Sequence, residues 1–373
     1  MNVLSPVASE LLTQAKWAFA TRRVARGDAS RLLPDLASAK SGDLVLGRVV
    51  SIGSHKKIQL AEGRPSDLYL GDLVVLACGA RYAPDQFEGL AELNPAGADM
   101  LASGGVLGRM RHRHEKMPHP TGVQPLGLLS SGSDKAMNLA DYALTPARRP
   151  AGLTVVGVVG ASMNSGKTTA VASLAHGLRL AGHRVAAIKA TGTGAFGDFN
   201  AFLDTGAHYV ADFTDVGLVS TYRQPLPRIA AGLETLLADA GRAGCEVAVV
   251  ELADGVFQKE TAELLKMAPV RDGFAGLVFA AGDALAAAGG YAALKDLGIT
   301  PSAMTGMVSC SPLAAAEAEL ATGTQVLTRT ELCDPDAAQA LLVKMLARTQ
   351  RSAAKVRTLV PQGLGLLGAD VAA

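Results

Sequence analysis

The run of residues 154–180, TVVGVVGASMNSGKTTAVASLAHGLRL, constrains this chain more than any other. A β-branched segment through Val155, Val156, Val158 and Val159 gives way to small residues. Gly166-Lys167-Thr168-Thr169 follows, and then Val171, Leu174, Leu178 and Leu180 recur at helical spacing. Strand, small-residue loop and helix are the context that gives a phosphate-binding motif its meaning. Gly160, Ala161, Ser162, Met163, Asn164, Ser165, Gly166, Lys167, Thr168 and Thr169 are therefore the candidate nucleotide-binding residues. Small residues let successive backbone N–H groups turn toward an anion, and the helix N-terminus adds partial positive charge. Lys167 is expected to reach the β- and γ-phosphates and the Thr168 hydroxyl to hold Mg²⁺. The usual pattern has glycine where this chain has Ala161, with Gly160 one position earlier. The stretch predicts binding of a nucleoside triphosphate.

Composition narrows the remaining classes. A length of 373 residues suggests two domains, and 49% hydrophobic residues supply a sizeable core. A net charge of +1 gives no general attraction to nucleic acid or an anionic membrane, and 4% aromatics offer little for base stacking. Cys78, Cys245, Cys310 and Cys333 are far apart, without CxxC spacing, and read as reduced packed thiols of a cytoplasmic protein. No signal-peptide pattern is evident, and the Ala-rich residues 274–294 read as strand plus helix rather than a membrane span.

Four segments are expected: a helical segment over 1–40, a small β-rich domain over 41–130, a linker over 131–150 and a nucleotide domain over 151–373. In the first, Leu11, Leu12, Trp17, Ala18 and Val24 make a plausible buried stripe, with Arg22, Arg23 and Arg26 on a solvated face. In the second, two Gly-Asp-Leu-Val turns lead into β-branched runs, as in a small barrel or sandwich. The loop over 81–89, RYAPDQFEG, reads equally as a binding loop or a packed turn. His112, His114 and His119 cluster, but Arg109, Arg111, Arg113 and Lys116 surround them, a field that favours an anion over a divalent cation. Beyond residue 151, apolar strands over 184–189, 246–252, 274–280, 304–310 and 324–329 alternate with helical patterns. That alternation predicts an α/β domain with a mostly parallel sheet and helices on both faces.

Ligands of such sheets sit at the carboxyl ends of the strands. Lys189 stands at one of these ends, able to neutralise a phosphoryl group or meet an anionic substrate. Asp198, Asp212 and Asp215 compete for Mg²⁺. Glu251, leaving a strongly apolar strand, occupies the position of the carboxylate that completes a metal shell, and Asp254 follows closely. The catalytic candidates are Lys167, Lys189 and Glu251; the metal candidates are Thr168, Glu251, Asp198 and Asp212.

Gly160-Ala161-x4-Gly166-Lys167-Thr168-Thr169 resembles the GTx4GKT loop of dethiobiotin synthetases and of the synthetase domains of cobyrinate amidases, within the SIMIBI class of P-loop NTPases. Lys189 with Thr191-Gly192, and Glu251, extend the resemblance across roughly residues 153–330. It implies transfer of the γ-phosphate of ATP to a carboxylate or carbamate with Mg²⁺. Lys167 would then stabilise the phosphoryl group, Thr168 and Glu251 would hold the metal, and Lys189 would meet the substrate. It also allows a homodimer. Ser162 replaces the extra lysine of the MinD-like branch, and 251–255 reads ELADG where the synthetases read EGAGG. No Gly-x-Cys-x-Gly glutaminase motif follows. A (Asn/Thr)-Lys-x-Asp guanine signature is absent, which favours ATP and leaves GTP open. The second function class is a nucleotide-driven switch or maturation factor acting on a partner protein, with 198–223 as its switch region.

Overall fold

The computed structural model describes residues 5, 6 and 9–359. The outer ends of the expected first and last segments lie outside the described residues. The nucleotide unit is a six-stranded parallel sheet: β1 (Thr154–Gly160), β2 (Val185–Lys189), β3 (Tyr209–Asp212), β4 (Val247–Glu251), β5 (Gly276–Ala280) and β6 (Ala303–Thr305), in the spatial order β3-β2-β4-β1-β5-β6. Central strands are buried on both faces, so β1 and β4 read as unbroken apolar runs. Helices α1 (Lys167–Leu180), α2 (Phe196–Leu203), α3 (Leu226–Arg242), α4 (Lys259–Lys266), α5 (Ala284–Asp296), α6 (Pro312–Thr322) and α7 (Pro335–Leu359) cover the two faces. One core packs Leu233, Leu236 and Leu237 of α3 and Leu294 of α5 against one face, and the other packs Leu174 and Leu178 of α1 against the opposite one. Polar residues set the boundaries. Asp283 and Ser311 cap α5 and α6, and Gly182, in the left-handed region at φ 95°, lets the chain leave α1.

The preceding unit is a ten-stranded mixed sheet. Five of its strands close a ring. Residues Thr121–Ser130 pair with Leu44–Ser51, which pair with Leu73–Cys78, then Val106–Arg113, then Ala98–Ala102, which return to Thr121–Ser130. The ring is a small barrel, filled by Val45, Val49, Leu76, Met100, Leu107 and Val123.

Several sequence expectations change. The expected helical segment over 1–40 is not mainly helical: among its described residues Ser9–Gln14 is the only α-helix, followed by short strands and 3₁₀ turns that lie along the barrel. Trp17, Ala18 and Val24 are buried, whereas Leu11 is exposed, because the segment is held by strand pairing rather than by a helical stripe. The strand expected over 304–310 ends at Thr305, where Gly306 at φ 97° turns the chain into a 3₁₀ turn. Residues 324–329 contribute one bridge, Val326 beside Met304, and no strand. Strand β3 and helix α2 carry no strong periodicity in sequence and were not expected. Residues 131–150 are built in: Asn138 opens a capped 3₁₀ turn and Leu144 N–H bonds the Asp215 carbonyl at 2.8 Å. Among the described residues no helix is long and apolar enough to cross a membrane.

The two units meet closely. A Cβ on Gly104 would lie 2.0 Å from the Gly194 carbonyl oxygen, so only glycine permits this backbone approach. Nearby, Arg22 is not on a solvated face. Its guanidinium bonds the Asp215 carboxylate at 2.6 Å and Asp212 at 3.1 Å, donates to the Thr214 hydroxyl, and lies over the Phe19 and Phe199 rings. Burial and the neighbouring Asp212 push the Asp215 carboxyl up to about 6. Arg22→Met leaves two buried carboxylates with only Arg23, 3.9 Å from Asp215 at the edge of the cluster, so urea unfolding is expected to show a loss of about 3 kcal/mol. A loss below about 1 kcal/mol, the range of an exposed pair, would mean that the seam does not depend on this cluster.

Candidate active site

Strand β1 ends at Gly160 and delivers the phosphate loop. Gly160 is glycine because a Cβ there would lie 2.4 Å from Ser165 Oγ and 2.7 Å from Lys167 Cγ. Asn164 at φ 61° and Gly166 at φ 102° both take left-handed backbone, which wraps the loop into a concavity. Gly166 is also the N-cap of α1 and has no side chain to cap it, so the first-turn N–H groups remain open to an anion. Met307 N–H braces the loop from outside by bonding the Ser165 carbonyl at 3.2 Å. The loop is a phosphate cradle.

Four side chains converge on its rim. Thr168 Oγ1 lies 3.0 Å from Glu251 Oε2, at the end of β4, and 3.2 Å from Asp198 Oδ1, on the first turn of α2. Lys189, at the end of β2, pairs with the Asp198 carboxylate and lies 3.4 Å from Glu251 Oε1. Adjacent parallel strands place Lys189 directly beside Glu251 in register. Burial alone lowers the pKa of Lys189, but Glu251 and Asp198 outweigh it and hold the ammonium above its usual range. Burial lifts the Glu251 carboxyl despite Lys189 beside it. Asp198 is held low: Lys189 overcomes the effect of burial. Lys167 reaches back across the loop, its Nζ 2.7 Å from the Ser162 carbonyl oxygen, and burial lowers its pKa.

The residues fit a nucleotide phosphate and Mg²⁺. Ser165 Oγ is buried without a partner, the cradle is one that a Cβ would fill, and a hydroxyl flanked by two carboxylates is a hard oxygen donor set. Of the metal candidates, Thr168, Glu251 and Asp198 come together; Asp212 does not. The Asp212 carboxylate is spent on Arg22 and on the N–H and hydroxyl of Thr214, and Asp215 on Arg22 and the Asp212 N–H. Asp254 is not a helix cap, since Gln258 caps α4; it faces a cleft beside the loop. The Arg/His strand points away. Arg111 pairs with Glu92 and His112 with Glu88, each at 2.5 Å, on an exposed face. No group of three or more His, Cys, Asp or Glu side chains fit for a metal occurs among the described residues.

The barrel reaches the site through the 81–89 segment, which the sequence left open as a binding loop or a packed turn. The 81–89 segment is a hairpin between Arg81–Tyr82 and Phe87–Leu90, and its tip touches the phosphate loop: Asn164 Nδ2 donates to Asp85 Oδ2 at 2.8 Å. Gln59 accepts from the Phe196 N–H at 2.7 Å, and Phe19 packs edge-on to Phe196 and Phe199, so the barrel positions the helix bearing Asp198. The mixed Arg-Tyr-Asp-Phe composition of 81–89 was the one available signal.

No protein-family model matches the chain, and no curated protein is significantly similar to it. Among solved structures it is similar to the signal recognition particle 54 kDa protein of Aeropyrum pernix K1 in complex with GDP, at 19% identity and a TM-score of 0.34, over 59% of this chain and 54% of that one. It is also similar to the signal recognition particle receptor FtsY of Elizabethkingia anophelis, at 12% identity and a TM-score of 0.36, over 57% of this chain and 75% of that one. The match therefore spans about half the length of the first protein. At these scores the overlap fixes neither ligand nor activity.

His55 stands on the barrel side of the cleft. Burial, with Arg81 beside it, lowers its pKa to about 4 from 6.5. A depressed value means that the fold prefers neutral imidazole, so this contribution is full above pH 6.5 and is lost as pH falls toward 4. Over that interval the wild type should lose up to about 3 kcal/mol relative to His55→Gln. Urea titrations at pH 7, 5.5 and 4 read the difference; parallel pH profiles would place His55 in solvent.

Proposed function

We propose that the chain is a Mg²⁺- and nucleoside-triphosphate-dependent enzyme of the SIMIBI class that transfers a phosphoryl group to a small acid, with ATP as the donor. The observation that carries this reading is the pairing of a phosphate cradle, at the end of β1, with a buried Lys189 at the end of β2, one strand beyond β4. A hydrolytic switch needs the cradle and its carboxylates. A second buried cation, held charged by Glu251 and Asp198 and facing a cleft, suits an anionic acceptor.

The roles follow from position. Loop N–H groups and the N-terminus of α1 bind the phosphates, and Lys167, released from the Ser162 carbonyl, meets their outermost oxygens. Thr168, Glu251 and Asp198 would hold Mg²⁺, which when bound shields the charge of the triphosphate. Lys189 orients the acceptor and stabilises negative charge as the phosphoryl group moves. The acceptor oxygen bonds to the γ-phosphorus while the bond to the β–γ bridging oxygen breaks, and the nucleoside diphosphate leaves with that electron pair. The sequence ELADG over 251–255 changes the acceptor contacts from those of the resembling synthetases.

Calorimetric titration with ATP and with GTP, each with Mg²⁺, tests the reading. Binding is expected with ATP preferred, and Lys167→Ala should weaken it by about 2 kcal/mol, roughly thirtyfold. Hydrolysis without acceptor should be slow, because the acceptor completes the site. Preference for GTP, or rapid turnover that no added acid alters, would sink the phosphoryl-transfer reading in favour of a partner-driven switch.

A further inference from the structure

Between barrel and phosphate loop lies a cleft of about 290 Å³. Arg81, His55 and Ser103 line it from the barrel; Lys189, Thr193 and Asp254 line it from the nucleotide unit. The cleft thus opens onto the Lys189 end of the cluster that joins Thr168, Glu251 and Asp198. Its volume lies near the lower end of the range for small-molecule pockets, about 300–1,000 Å³.

Arg81 is the unusual member. It is 6% exposed, and among the described residues no carboxylate lies within ion-pair distance of it; burial lowers its pKa to about 10, while Asp85 and Asp254 act on it only through space. Nη1 donates to the Leu101 carbonyl and Nη2 to Gln86 Oε1 at 2.9 Å, while Nε has no partner. Both hydrogen-bonding acceptors are neutral. Burying a cation without a direct ion-pair partner is unfavourable. Arg22, the comparably enclosed arginine of the same seam, has two carboxylates. His55, which is either neutral or cationic, supplies no counter-charge. Asp254 and Asp198 on the facing wall make the cleft mixed in sign, unsuited to a polyanion such as a second nucleotide.

We propose that this cleft is the acceptor site, holding a small carboxylic acid whose carboxylate pairs with Arg81 while a second group, the phosphoryl acceptor, lies at Lys189. The assignment of the second group rests on the phosphoryl-transfer reading; the anion site at Arg81 does not. The barrel is then half of the active site, with Arg81 as its specificity determinant.

Formate, the simplest carboxylate, is the probe. In protein labelled with ¹⁵N-arginine, the Arg81 Nε–Hε resonance, identified by its loss in Arg81→Lys, should shift saturably as formate is added at constant ionic strength. The Arg22 resonance, already paired, should stay in place. Ser103→Tyr, which fills the cleft, should abolish the shift; it also identifies the Arg81 signal if Arg81→Lys fails to fold. An Arg81 resonance that stays still, or that drifts linearly together with Arg22, overturns the site. Nucleotide binding with a silent Arg81 would remove the cleft assignment alone. A saturable formate response without nucleotide binding would leave an anion site and overturn its role as acceptor site.

Discussion

Asp212 and Asp215 lie at the end of β3 where water is largely excluded, and they need a cation. The chain supplies it from Arg22, about 190 residues earlier in sequence. Much of the molecule depends on that demand. It draws the N-terminal segment out of a continuous helix and across the seam, and it brings Phe19 against Phe196 and Phe199. It thereby fixes α2, whose first turn bears Asp198. A contact that looks like a domain clamp thus also sets a carboxylate within 3.2 Å of the Thr168 hydroxyl.

Charge is balanced differently on the two sides of the seam. In the cluster around Thr168 the cations Lys167 and Lys189 stand against Glu251 and Asp198, so the low local dielectric strengthens attraction without leaving a bare charge. Across the cleft, Arg81 has only neutral acceptors. Lys189 of the nucleotide unit is directly paired, whereas Arg81 on the barrel wall is not, and that difference is what a small carboxylate in the cleft would balance.

The phosphate loop, the sheet and the strand-end residues Lys189 and Glu251 were legible in sequence. Their signals are local: apolar runs of strand length, small residues, and a glycine-lysine pair before a helical period. Asp198 and Asp212 could not be told apart from sequence, because the difference lies in which one meets Arg22. The N-terminal segment misled because Trp17, Ala18 and Val24 are apolar enough to suit a helix stripe as well as strands and turns. The Arg/His strand misled for a related reason. Its basic residues are real, but Arg111 is paired with Glu92 and His112 is bonded to Glu88 on an exposed face.

By itself, then, the sequence determined that the chain builds a parallel α/β sheet with a phosphate cradle at the end of its first strand. Both features arise from residues close along the chain, where period and steric permission act directly. Only the tertiary structure decided that a five-stranded barrel presses its 81–89 hairpin onto that cradle, that Asp198 rather than Asp212 lies beside Thr168, and that Arg81 is buried without a direct ion-pair partner. Each of these depends on groups distant in sequence, 79 residues apart for Asp85 and Asn164 and 190 for Arg22 and Asp212, or on the absence of a direct partner. Neither distance nor absence leaves a periodic mark in a sequence.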